Sequence, residues 1–204
     1  MLKRATDLLG ALICLVVLSP VLAIVYLLIR WRLGPPVLFR QERLGLHEQM
    51  FRIIKFRTMT DARGPDGALR PDADRLTPLG RRLRASSVDE LPELWNVLRG
   101  DMSLVGPRPL PVIYQHRFRA DERRRHETRP GITGWAQVKG RNTVNWDERL
   151  AMDVWYVRHR TFWLDLRILV LTVGVVFTRR GISAEGQVTM PALRPELGDP
   201  NDGA

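Results

Sequence analysis

The sequence predicts a small mixed α/β domain behind an N-terminal membrane helix that breaks at its middle, with further amphipathic helices suited to a membrane interface. Three observations lead there. The run "LLGALICLVVLSPVLAIVYLLI", Leu8 to Ile29, is apolar throughout but carries Ser19-Pro20 at its centre. Two strand-like runs, "GPPVLFRQERLG" and "MFRIIKFRTM", flank the polar turn "LGLHEQ". Helical patterns then alternate with Gly- and Pro-rich breaks along a chain of 204 residues, long enough for one sizeable core.

The apolar run comes first. As a straight helix it would be about 33 Å long, enough to cross a bilayer. Its flanks argue otherwise. Lys3 and Arg4 precede it, Arg30 and Arg32 follow it, and basic residues favour the cytoplasmic side. A helix that enters, turns at Ser19-Pro20 and returns satisfies both flanks; a kinked spanning helix is the alternative. Proline removes a backbone donor, and a serine hydroxyl can take up the group so freed. "IRWRLGPP" follows instead of a small-x-small cleavage site, which disfavours a secretory signal.

After the two strands, "DARGPDGALRPDADR" reads as a loop. "TPLGRRLRASSVDELPELWNVLRGD" holds two helical segments. "LPVIYQHRFRADERRRHETRPG" reads as one amphipathic helix ending near Arg129-Pro130, and "ITGWAQVKGRN" as irregular or extended. "TVNWDERLAMDVWYVRH" is another helix. "TFWLDLRILVLTVGVVFTRRG" is broken by Asp165 and Arg167 and reads as an interfacial or core helix. The tail after Gly186 is expected to be loose.

Composition narrows the chemistry. Thirty-two Lys+Arg against 22 Asp+Glu leave a net charge of +10, which suggests a polyanionic partner. The only cysteine, Cys14, lies in the apolar run, so the chain builds no internal disulfide. The four histidines lack metal-ligand spacing, and no zinc is expected.

Asp89 and Glu90 are adjacent carboxylates just after a run of arginines. Pro92 is tolerated in the first turn of a helix, which places the pair at a helix N-terminus. That end and the arginines are expected to hold Asp89 ionised. The bland alternative is strong: Ser87-Val88-Asp89-Glu90 matches a capping box. Arg108 stands between two prolines, a stiff mount for a guanidinium that suits phosphate oxygens. "KFRTM" offers Lys55 and Arg57 from a strand, and "KGRN" offers Lys139 and Arg141 beside a glycine. Each basic cluster alone reads as a solvated face; together with the carboxylates and the membrane segment they suggest phosphate chemistry at a bilayer.

The run "KFRTM … RLRASSVDELPELWNVLRGDMSLVGPRPL … RPGITGWAQVKGRN" resembles the bacterial sugar transferase family, the monotopic phosphoglycosyl transferases. The resemblance extends from about Lys3 to Val188. It is to the minimal members, in which a catalytic core follows one re-entrant helix, and most of all to those that transfer N,N′-diacetylbacillosamine 1-phosphate; "EGQVT" is similar too. It implies residues 1–32 as the re-entrant membrane helix, 33–186 as the catalytic domain and 187–204 as a flexible tail.

The resemblance also implies a reaction. A UDP-sugar gives its sugar 1-phosphate to undecaprenyl phosphate, releasing UMP, at the cytoplasmic face of the bacterial inner membrane. Asp89 would be the nucleophile that forms a phosphosugar-aspartyl intermediate. Glu90 would hold Mg²⁺, with Mn²⁺ as an alternative. Lys55, Arg84 and Arg108 would contact phosphates, and Arg141 the nucleotide-sugar. Two rival classes fit the residues less well. A nucleic-acid binder lacks any RNP, KH, zinc-finger or helix-turn-helix signature. A non-catalytic basic scaffold on anionic lipid leaves Asp89-Glu90 and the Arg108 loop without a role.

Overall fold

The computed structural model describes residues 2–140, 144–178 and 192–194. It opens with two helices, α1 (Leu2–Val17) and α2 (Ser19–Arg32), bent by 62° at Leu18. The break has the predicted local chemistry. A helix running through would hydrogen-bond the N–H of residue 20 to the carbonyl of Val16. Pro20 has no such proton, and the Ser19 hydroxyl donates to that carbonyl instead, at 2.7 Å. Among the described residues no single helix is long and apolar enough to cross a membrane; α1 and α2 meet that test only as a bent pair.

Both far ends of the pair are fixed to the same body. At the start of α1, Lys3 donates to Asp165 at 2.6 Å and to the Val105 carbonyl at 3.1 Å. Arg4 donates to the carbonyls of Val97 and Leu98. The buried Asp7 accepts from Ser103 Oγ at 2.9 Å and from the Leu104 N–H at 3.0 Å. At the other end, Val25 and Ile29 of α2 pack with Val37, Phe56 and Leu83. Between these anchors Leu12, Ile13, Val16, Val17, Val21 and Ile24 are exposed.

The strands β1 (Leu38–Leu44) and β2 (Met50–Phe56) form the expected antiparallel hairpin, with Leu38 opposite Phe56 and Leu44 opposite Met50. The 61–75 loop is a loop except for one helical turn, α3 (Asp72–Arg75). The next segment divides as predicted into α4 (Pro78–Ala85) and α5 (Glu93–Arg99), joined through a 3₁₀ turn at Val88–Glu90. Thr77 caps α4 by accepting from the Gly80 N–H at 2.9 Å. A short parallel pair follows, β3 (Ser103–Val105) with β4 (Gly131–Thr133). A Cβ on Gly131 would sit 2.0 Å from the Gly106 nitrogen, so this approach of backbones requires glycine. Then come α6 (Trp135–Lys139), α7 (Trp146–His159) and α8 (Phe162–Thr178). Asn145 and Glu148 form a capping box on α7.

Two sequence expectations are corrected. The 110–131 segment is not one amphipathic helix but two 3₁₀ turns, Val112–Arg117 and Glu122–Glu127. Phe118 between them is extended, and Arg117 and Arg125 point inward, so the apparent polar face is partly core. "ITGWAQVKGRN" is β4 followed by α6 over its described part. Of the tail only residues 192–194 are described: Leu193 is fully buried beside Leu44, Leu110, Phe118 and Leu150, and Arg194 forks onto Glu122. "EGQVT" lies outside the described residues.

Asp7 is expected to carry measurable stability. Asp7→Ala leaves the Leu104 N–H without its acceptor and the Ser103 hydroxyl with the Val105 carbonyl alone, a loss of about 1–3 kcal/mol. That should lower Tm by several degrees in a thermal melt of the purified, detergent-held protein. Asp7→Asn keeps an acceptor oxygen and should lose less.

Candidate active site

The site assembles where β2, the 3₁₀ turn and the loop after β3 converge. Ser87 takes a left-handed conformation (φ 55°), which turns the chain out of α4 and presents Asp89 and Glu90 in succession. No side-chain cap bond is made by Ser87, so the capping-box reading does not hold. Pro92 caps α5 from outside, and Asp89-Glu90 sit in their own turn just before that helix.

Lys55, near the end of β2, donates to Glu90 Oε1 at 2.6 Å and lies 3.0 Å from Glu93 Oε1. Arg108 meets Glu90 with both terminal nitrogens, Nη2 on Oε1 and Nη1 on Oε2 at 3.3 Å. Burial disfavours the ionised Glu90, but Arg108 and Lys55 outweigh it and hold this carboxyl well below the usual range. The same contact holds Arg108 firmly protonated against its own burial.

Asp89 is treated differently. It is 7% exposed, and its carboxylate makes no hydrogen bond or ion pair with a described residue. Burial, then the charge of Glu90, push its carboxyl above the usual range, against Lys55, Arg84 and Arg108. The arginines favour the ionised Asp89 as expected, but they do not set the net direction of its shift. Burial and a like charge win, and the α5 N-terminus begins too late to help. Two adjacent acids are thus driven apart: Glu90 is paired with Lys55 and Arg108, and Asp89 is left uncommitted.

Of the other predicted residues, Arg84 lies close enough to act on Asp89 electrostatically while its Nε donates to Thr58 Oγ1 at 3.0 Å. Arg57 is committed elsewhere, donating to the carbonyls of Leu33 and Gly34 and pairing with Asp61. Lys139 rests over the Trp135 ring at 5.2 Å. Arg141 lies outside the described residues.

Two members of the cluster were missed in the sequence. Glu93 is buried beside Lys55, and its signal was the spacing "DELPE", four residues beyond Asp89. Burial raises it to about 7, with Lys55 pulling down and Glu90 adding to the rise. Arg43 donates to the Pro109 carbonyl, and burial together with Arg108 lowers it to about 10. Nothing local in "RQERLG" pointed there.

The donor set bears on a metal. Among the described residues no group of three His, Cys, Asp or Glu side chains could hold an ion alone. A hard ion shared between one carboxylate and a substrate's diphosphate needs no such cage. Glu90 Oε2, which accepts only one long bond from Arg108, has capacity for that arrangement.

A sequence model described as "Bacterial sugar transferase" matches residues 1–179. The uncharacterized sugar transferase EpsL of Bacillus subtilis is 49% identical over 92% of this chain and 93% of its own length. A UDP-glucose:undecaprenyl-phosphate glucose-1-phosphate transferase of Caulobacter vibrioides is 43% identical over 86% of this chain and 70% of its own. The undecaprenyl-phosphate galactose phosphotransferase of Salmonella typhimurium is 38% identical over 88% of this chain, which spans 41% of that protein.

Glu93 yields a pH prediction. Its carboxyl titrates near 7 when folded against 4.5 for the ordinary group. Between those values the folded state binds the extra proton, so stability falls as pH rises through that window. Glu93→Gln removes the titration. It should flatten the fall in Tm between about pH 5 and pH 8, a difference on the order of 2 kcal/mol. Parallel Tm profiles for the two proteins would show that Glu93 does not titrate there.

Proposed function

Because this chain belongs to the bacterial sugar transferase family, we propose that it is a phosphoglycosyl transferase moving a sugar 1-phosphate from a UDP-sugar to undecaprenyl phosphate. The printed names of the Caulobacter and Salmonella relatives, with glucose and galactose as their sugars, support that reaction class. The observation that carries the mechanism is the division of the acid pair, with Asp89 unpaired and Glu90 paired to Lys55 and Arg108.

A nucleophile must keep its lone pairs free, and Asp89 does. In the proposed first step an Asp89 oxygen bonds to the β-phosphorus of the UDP-sugar. The phosphoanhydride bond breaks, and its electrons leave on UMP. In the second step a phosphate oxygen of undecaprenyl phosphate attacks the same phosphorus and releases Asp89 as carboxylate. Neither step needs a proton moved, since attacking and leaving groups are both anionic. The task for the protein is neutralisation. Arg108, Lys55 and Arg84 surround Asp89 and suit the phosphate oxygens, and Arg141 is proposed for the nucleotide-sugar. Mg²⁺ or Mn²⁺ held by Glu90 would supply further neutralisation of the diphosphate.

The bent helix pair supports a membrane-bound arrangement. Lys3, Arg4 and Asp7 tie its start, and Ile29 its end, to one body, so an inserted apex near Leu18 would enter and return. Exposed Trp163, Val170 and Val173 on α8 fit an interfacial helix beside it. We place the catalytic domain on the cytoplasmic face of the inner membrane by the basic flanks.

The mechanism is tested by incubating the protein with labelled UDP-glucose, UDP-galactose and other UDP-sugars. Without acceptor, label should attach to the peptide carrying Asp89; with undecaprenyl phosphate, UMP should be released continuously. Asp89→Asn should abolish both, and EDTA should stop turnover until Mg²⁺ is restored. Turnover by Asp89→Asn would refute the covalent mechanism.

Topology is tested through the lone Cys14. In a Cys14→Ala background, single cysteines at the exposed Leu2 and Arg32 should resist an impermeant maleimide in intact cells and react once cells are opened. Labelling of the Leu2 position in intact cells would mean a spanning helix.

A further inference from the structure

The loop that carries Arg108 contains three prolines, Pro107, Pro109 and Pro111, and so few N–H groups of its own. Its carbonyls are used instead, one after another. Pro107 O accepts from the Gly131 N–H at 3.0 Å. Arg108 O accepts from Arg125 Nη2 at 2.6 Å, and Pro109 O from Arg43 Nη1 at 3.3 Å. Leu110 O accepts from the Leu44 N–H at 3.0 Å. Four consecutive carbonyls are held by three separate segments, β1, β4 and the 3₁₀ turn that carries Arg125.

The donor to the Arg108 carbonyl is unusual in its own support. Arg125 and Asp153 are both buried, their side chains 2% and 3% exposed. Arg125 Nε and Nη2 donate to Asp153 Oδ2 at 3.2 and 2.8 Å, which leaves the second Nη2 proton for the carbonyl. A buried ion pair is weak evidence of stability, since hydrophobic replacements often do as well. A rigid planar fork joining α7 to one particular carbonyl is a device for geometry.

We propose that Arg125, oriented by Asp153, is a positioning residue that sets the place of the Arg108 guanidinium. It rests on the phosphate-binding role proposed above for Arg108. The Arg125–Asp153 pair does not touch Glu90; it acts through the backbone of Arg108. A shift of that backbone would carry the guanidinium out of register with Glu90 and with the phosphates it neutralises. Lysine at 125 keeps the charge for Asp153 but cannot hold two acceptors at fixed angles.

A double-mutant cycle tests this, with Arg125→Lys and Arg108→Ala measured singly and together by UMP release. Arg125→Lys alone should lose about 10- to 100-fold, the scale of an ångström-sized misplacement. In the Arg108→Ala background the same change should lose less than twofold, because the group it positions is gone. Equal losses in both backgrounds would make Arg125 merely structural and overturn the proposal. Thermal melts check folding; if Arg125→Lys does not fold, Asp153→Glu, which keeps the ion pair but moves it, takes its place in the cycle. A second readout does not depend on turnover. Phenylglyoxal modification of Arg108, mapped by mass spectrometry, should be several-fold faster in the folded variant, as the guanidinium leaves its Glu90 fork. An unchanged rate would overturn the proposal. A wild type that releases no UMP from any UDP-sugar would fail the functional reading, and the modification rate would still judge the positioning.

Discussion

The side chain of Asn96 is fully buried, and the site depends on where it sits. Its Oδ1 accepts from the Ile54 N–H at 3.0 Å, and its Nδ2 donates to the Arg52 carbonyl at 2.8 Å. The amide therefore serves as a missing strand along the open edge of β2, where unpaired backbone groups would otherwise be costly. This clasp locks α5 onto the hairpin in a single register. Lys55, one residue past Ile54, is thereby set against Glu93, and against Glu90 in the turn before it. A two-stranded ribbon is marginal by itself; joined to α5 by one satisfied amide, it becomes a platform for charge.

From that platform follows the asymmetry of the acid pair. Adjacent residues cannot share one environment when the turn carrying them is tight, because successive side chains leave in different directions. Glu90 leaves toward Lys55 and Arg108 and is held ionised. Asp89 leaves toward a buried place where only longer-range cations act. The left-handed Ser87 makes this possible by ending α4 abruptly. A longer helix would have placed both acids on solvated turns.

Local chemistry was legible in the sequence; contacts between distant segments were not. Ser19-Pro20 foretold both the break and the hydroxyl that repairs it, since every group involved lies within four residues. The hairpin, the split between α4 and α5, and the Asp89-Glu90 pair were readable for the same reason. The 112–127 segment misled because periodicity assumes that arginines face water. Arg117 donates to the Leu193 carbonyl and Arg125 to Asp153, and neither partner is near in sequence. Glu93 had a spacing signal, but its burial, and so its raised pKa, depends on the Asn96 clasp. Arg43 and the Arg125–Asp153 pair had no local signal at all.

The net charge of +10 is in part structural. A basic excess suggests a polyanionic partner, yet many of these arginines are committed inside the fold. Arg4 caps the end of α5, Arg57 holds the Leu33–Gly34 linker, and Arg75 and Arg129 donate to the carbonyls of Thr60 and Gly100. Arg43 and Arg125 hold the Arg108 loop. The physical reason is the shape of the chain. With short strands and proline-rich connections, it has many carbonyls that no backbone N–H can reach, and a guanidinium brings five donors on a long arm. Arginine here does the work that sheet ladders do elsewhere. Lys55, Arg84 and Arg108 are the cations that act on Asp89, and their placement, more than the overall charge, is what supports the phosphate chemistry proposed for this site.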